Sequence, residues 1–164
     1  MQLIDLAKQR KLINDTVERN IKNVLDHGKF ILGPEVFELE DELCNYIGTD
    51  YCITCSSGTD ALMMSLMSLG VGRDDEVITS PFSFISSAEV IALLGAKPIF
   101  VDIEIDTFNL DYKKLERKIS SKTKAIIPVS LFGQCANFNK INNIAKKYKI
   151  PVIEDGAQSF GAEY

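Results

Sequence analysis

The spacing of apolar positions changes twice along the chain. Leu12, Ile13, Thr16, Val17, Ile21, Val24 and Leu25 recur at intervals of three and four, which predicts a helix that stops at Gly28. Gly33-Pro34 opens a second helix, because proline suits a first helical position. Val36, Leu39, Leu43 and Ile47 give that helix one apolar face as far as Gly48. Short apolar runs then alternate with helical stripes. Strands are expected at 51–55, 76–79, 98–101, 124–129 and 151–154. Helices are expected at 59–69 and 84–94, each closed by a glycine (Gly70, Gly95), then at 111–119 and 137–148. Strands that alternate with helices need crossover connections and therefore a mostly parallel sheet flanked by helices. The expected fold class is α/β, with a helical N-terminal arm over about residues 1–48. The segment from Asp155 to Tyr164 leaves the last strand without a closing element, so the 164 residues are expected to be the N-terminal part of a longer chain.

In such a sheet, ligands sit beyond the carboxyl ends of the strands. Three polar clusters fall there. Ser56-Ser57-Gly58-Thr59 joins a strand to a helix. Free N–H groups and the helix dipole make that junction an anion site, with Gly58 allowing close approach and Ser57 and Thr59 adding hydroxyls. A simple helix cap after a tight turn fits the same residues. Pro81-Phe82-Ser83-Phe84 follows the next strand. Phe84 could stack on a planar ring or could be a core aromatic. Glu154-Asp155-Gly156-Ala157-Gln158 follows the last strand. A carboxylate at the end of an apolar strand needs a partner, such as a protonated ring nitrogen, with Gln158 reaching a neighbouring oxygen. A turn cap is the plainer alternative. Taken together, an anion cradle, a stacking ring and a paired carboxylate match the phosphate, ring face and pyridinium nitrogen of pyridoxal 5'-phosphate.

Composition narrows the field. Eighteen basic and 23 acidic side chains give a formal net charge of −5. A pI near 4.9 argues against nucleic acid as a partner, although small anions remain open to local dipoles. With 46% hydrophobic residues the chain has enough apolar side chain for a core. Apolar runs such as 90–96 fall far short of a membrane span, and residues 1–12 carry charges rather than a signal-peptide core, so no membrane partner and a cytoplasmic location are expected. Cys44, Cys52, Cys55 and Cys135 are too few for a disulfide framework. Cys52 and Cys55 form a C-x-x-C spacing, but His27 is the only histidine and an expected strand would turn the two sulfurs apart, so no metal site is expected.

Several stretches, in order, resemble the DegT/DnrJ/EryC1/StrS sugar aminotransferases, which are fold type I pyridoxal-phosphate enzymes. They are Ile4-Asp5-Leu6, Phe30-Ile31-Leu32-Gly33-Pro34-Glu35-Val36, Ser57-Gly58-Thr59-Asp60-Ala61-Leu62 and Ser83-Phe84-Ile85. Lys124-Ala125-Ile126-Ile127-Pro128-Val129, Leu131-Phe132-Gly133-Gln134 and the run from Glu154 to Gly161 follow. The resemblance implies that Gly58 and Thr59 hold the phosphate, Phe84 covers the ring, Asp155 pairs with the ring nitrogen and Gln158 lies near the ring hydroxyl. It implies a homodimer, a nucleotide-linked keto sugar as substrate and an amino acid, usually glutamate, as donor. It also implies a Schiff-base lysine and a C-terminal domain beyond Tyr164, leaving no catalytic residue within these residues. Ser130 departs from the histidine frequent at that position. Lys97 and Lys124 flank strand starts, and Lys113, Lys114, Lys146 and Lys147 belong to solvated helix faces, so none is a substitute. Two alternatives stand beside the aminotransferase: a sugar dehydratase of the same family, in which histidine replaces the lysine, and a non-catalytic fragment. A dinucleotide-binding domain wants a G-x-G-x-x-G turn, which Ser56-Ser57-Gly58-Thr59-Asp60-Ala61 does not supply.

Overall fold

The computed structural model describes residues 5–164, so Ile4 of the first family-like stretch lies outside it. The described chain divides into two compact units, one up to Thr54 and one from Cys55 onward.

The first unit holds α1 (Leu6–His27) and α2 (Pro34–Ile47). α1 begins earlier than its apolar stripe, because Asp5 supplies a cap by accepting from the Lys8 N–H at 3.0 Å. Its end falls where expected, with Gly28 left-handed at φ 66° and its N–H on the Val24 carbonyl. α2 starts on Pro34 and ends at Gly48. The expected strand at 51–55 is absent. That stretch joins no sheet, and Tyr51 and Ile53 are exposed. The Thr54 N–H and hydroxyl both donate to Glu40 Oε1 on α2, each at 2.8 Å. A carboxylate thus takes the amide that a strand neighbour would have taken. Those two bonds, the amide first, hold Glu40 below its ordinary pKa. The four cysteines are free thiols, and burial pushes that of Cys44 up.

The second unit is built on a parallel sheet. β1 (Glu76–Thr79) lies between β2 (Lys97–Phe100) and β3 (Thr123–Ile127). Residues 151–155 run parallel beside β3 through two isolated bridges, Ile126 to Val152 and Val129 to Asp155. They do not form the full strand expected at 151–154. Pro128 and Pro151 have no N–H to donate, so this ladder is discontinuous and β3 itself ends at Ile127 rather than 129. The helices are α3 (Gly58–Ser68), α4 (Ser86–Leu93), α5 (Tyr112–Leu115) and α6 (Phe138–Tyr148). α5 is a single turn that tightens into a 3₁₀ turn over Glu116–Lys118, where one helix over 111–119 was expected.

Side chains that alternate along the strands serve two cores. Val77, Ala125 and Ile127 face α3 and α4, packing with Leu62, Leu66, Val90 and Ile91. Ile78 and Ile126 face the other way, towards Leu110, Leu115, Ile141 and Ala145. Both faces of the sheet are therefore covered by helices, which explains why the strand segments read as continuous apolar runs.

Candidate functional site

The chain runs from β1 through α4 to β2 on one side, whereas β3 lies on the other side of β1. Loops leaving the carboxyl ends of β1 and β3 therefore diverge and open a crevice. A cleft of about 210 Å³ lies there. Gly58 and Thr59 from the start of α3, Phe84 after β1, and Asp155 and Gln158 after the last pairing segment all line it. Five of the six residues singled out from the sequence thus meet in one place. Ser57 is not part of the lining. It caps α3, its hydroxyl accepting from the Asp60 N–H at 3.1 Å.

Each wall has a local cause. Ser57 begins α3 and Gly58 and Thr59 form its first turn, so N–H groups without helical partners face the cleft end. Phe84 is 73% exposed, so it is not a core aromatic, and it lines the cleft. The Asp155 N–H donates to the Pro128 carbonyl at 3.0 Å, and the Ser130 N–H donates back to the Asp155 carbonyl at 3.0 Å, so the backbone of Asp155 is fixed to β3's extension. Its Oδ2 accepts from the Ser87 hydroxyl at 2.8 Å and its Oδ1 from the Ala157 N–H at 3.3 Å. Gln158 Oε1 accepts from the Phe132 N–H at 3.1 Å.

The sequence assigns no bracing role to the residues that hold these walls: Asn109 is not singled out, and Ser130 is noted only as a departure from the family's histidine. Asn109, buried, accepts from the Leu131 N–H at 3.0 Å and donates to the Gln134 and Cys135 carbonyls at 3.0 and 3.2 Å. It thereby clamps the 131–135 loop, in which Phe132 adopts the left-handed region at φ 55°. Ser130, fully buried, donates to Glu154 Oε1 at 2.6 Å and accepts from the Ala136 N–H at 3.3 Å. Polar residues beside apolar ones at 109 and 130 were the available signal, but their partners lie more than twenty residues away for Asn109 and up to 24 for Ser130.

Among the described residues no lysine lines the cleft. Lys97 and Lys124 stand at the amino ends of β2 and β3, at the opposite edge of the sheet. Lys114 bonds Asp111 and Asp102 at 3.1 and 3.2 Å, and Lys147 bonds Glu116 at 2.5 Å. Both ammonium groups are held above the ordinary lysine pKa by those hydrogen bonds, so they keep their protons. The described residues contain no cluster of three or more His, Cys, Asp or Glu placed to hold a metal, and no helix long and apolar enough to cross a membrane.

A parallel α/β sheet with a crevice at its switch point is an architecture that serves many chemistries. Sequence comparison makes the assignment specific: the chain belongs to the DegT/DnrJ/EryC1/StrS aminotransferase family, whose profile matches residues 11–164. A UDP-2-acetamido-2-deoxy-3-oxo-D-glucuronate aminotransferase of Pseudomonas aeruginosa is 58% identical over all 164 residues. A crystal structure of a DegT DnrJ EryC1 StrS aminotransferase from Brucella abortus superposes with a TM-score of 0.94 at 43% identity over 98% of the chain. The structure of ntda from Bacillus subtilis with bound cofactor PMP superposes with a TM-score of 0.86 at 41% identity over 90% of the chain. The chain spans 46% of the Pseudomonas protein and 45% and 35% of the two solved chains.

Proposed function

We propose that these residues form the cofactor-binding part of an enzyme that moves an amino group between an amino acid and a nucleotide-linked keto sugar, using pyridoxal 5'-phosphate. The observation that carries this is the convergence of Gly58, Thr59, Phe84, Asp155 and Gln158 on one cleft. The residues fit the group. A Cβ built on Gly58 would meet no atom within 4 Å, so open space lies against the helix start where a phosphate would go. The N–H groups of the first turn of α3 and the Thr59 hydroxyl would bind that phosphate. Phe84 would cover one ring face, and Gln158, held by the Phe132 N–H, would face the ring oxygen.

Asp155 would accept from the protonated ring nitrogen. When bound, the cofactor supplies an electron sink for bond breaking at the amino-bearing carbon, and it does so only while that nitrogen keeps its proton. The work of Asp155 is therefore to hold a proton at the ring. Among the described residues no lysine lines the cleft; in this reading the catalytic lysine, the C-terminal domain, a homodimeric assembly and a cytoplasmic location belong to the whole enzyme, and these 164 residues would have no turnover of their own. The aminotransferase, rather than a dehydratase or a binding module, is favoured by the 58% identity to the Pseudomonas UDP-sugar aminotransferase.

The test is Asp155→Ala in the full-length protein. Absorbance titration with pyridoxal 5'-phosphate, and product analysis with glutamate and a panel of keto-sugar nucleotides, should show weakened binding and loss of turnover by at least about 10²-fold. Unchanged affinity and turnover would reduce Asp155 to a turn cap and remove the proposal.

A further inference from the structure

α4 opens on two adjacent serines, and neither hydroxyl serves the helix. Ile85 occupies the cap position, and no side chain caps α4. Serine is a weaker helix former than alanine, and a buried hydroxyl is costly unless it is bonded. Yet Ser86 and Ser87 are both buried, at 6% and 1% exposure. Their hydroxyls go elsewhere. Ser86 Oγ lies 2.8 Å from Thr59 Oγ1 at the start of α3. Ser87 Oγ donates to Asp155 Oδ2, also at 2.8 Å. Successive helical residues point about 100° apart, so one turn sends two short side chains to two different walls of the cleft.

We infer that Ser86 and Ser87 are positioning residues, a rigid yoke that sets Thr59 and Asp155 relative to each other so that both ends of one ligand are gripped together. The inference rests on the proposed cofactor reading, in which Thr59 faces the phosphate and Asp155 the ring nitrogen. The terminal torsion of an aspartate is intrinsically broad. Asp155 Oδ1 already takes the Ala157 N–H at 3.3 Å, and the Ser87 hydroxyl fixes the second oxygen, leaving the carboxylate one orientation. Ser86 does the same for the rotor of Thr59. It occupies one of that hydroxyl's hydrogen-bonding directions. The two links differ in what they hold, so they are separable by ligand chemistry.

Apoenzyme of the full-length protein is titrated with three ligands: pyridoxal 5'-phosphate, pyridoxal, and the 1-deaza analogue of the phosphate ester, in which a C–H replaces the ring nitrogen. Wild-type protein should prefer the first over both others. Ser87→Ala should cut the preference over the deaza analogue about tenfold, the effect of one hydrogen bond to a charged group. The preference over pyridoxal should stay within about twofold, as expected for separate sites. Ser86→Ala should do the reverse, and Ser87→Thr, which keeps a hydroxyl, should retain the preference over the deaza analogue. Each ratio comes from one preparation, so a smaller folded fraction cancels. Unchanged ratios in both alanine variants would make the serines mere packing and overturn the inference. Indifference of the wild-type protein to both ligand changes would instead bring down the cofactor reading itself, and the inference with it.

Discussion

α1 and α4 share one pattern, an apolar stripe at helical spacing, and end in opposite circumstances. α1 has 22 residues and buries none of them; Leu12 is 84% exposed. α4 has eight residues and buries four, two of them serines, with Ile91 fully enclosed. Periodicity states which face of a helix is apolar. It does not state what lies against that face. For α4 the answer is the sheet, through Val77, Ala125 and Ile127. Around α1 the interactions are local: the Asp5 cap, Gly28, and the Arg10–Asn14 and Asn14–Glu18 hydrogen bonds at 3.2 and 2.7 Å.

Three measurements on the full-length protein would break or sharpen that contrast. The largest effect belongs to the sheet. Ile126→Ala removes a fully buried side chain between β3 and the α5–α6 face, and should lower unfolding free energy by about 2–5 kcal/mol in chemical denaturation. The next concerns the link from α2 to Thr54. Glu40 is held below the ordinary glutamate value of 4.5, so the stabilisation from its bonds is present above that value and fades as pH falls through the lower folded one. The Thr54 amide resonance should therefore titrate with a midpoint below 4.5 and stop titrating in Glu40→Gln, whereas a midpoint at or above 4.5 would contradict the bond. The smallest effect is expected at Leu12→Asp. A substitution at an exposed position should change unfolding free energy by no more than about 0.5 kcal/mol. A loss of several times that would mean the stripe of α1 is covered in the whole protein, and the contrast with α4 would disappear.

The same distinction explains how far the sequence could be followed. β1 falls where the pattern put it, because Val77, Ile78 and Thr79 are buried and the strand has parallel neighbours on both sides. Residues 51–55 had comparable local composition, but a strand exists only with a neighbour, and Glu40 took the Thr54 amide instead. At the site, Gly58, Thr59, Phe84, Asp155 and Gln158 were visible because each stands where polar residues interrupt an apolar pattern, whether or not a strand precedes it. Ser86 and Ser87 were not. Their partners lie 27 and 68 residues away, and no local pattern records a hydrogen bond across that separation. Asn109 escaped for the same reason, its work being done on a loop more than twenty residues further on.

The order of the sheet also sets an order in time. β1 is central, yet it is synthesised before both of its neighbours, and its far neighbour β3 comes only after β2 and α5. At roughly 5–20 residues per second, the roughly 80 residues from the end of β1 to Asp155 take some seconds to emerge during synthesis. Thr79, whose hydroxyl donates to the Ile127 carbonyl, waits for that acceptor, and Ser87 waits longer still for the carboxylate of Asp155. The residues of the first half of the cleft are thus made before the partners they bond. This wall of the cleft comes late, when the short polar segment that starts at Asp155 brings the carboxylate that Ser87 bonds.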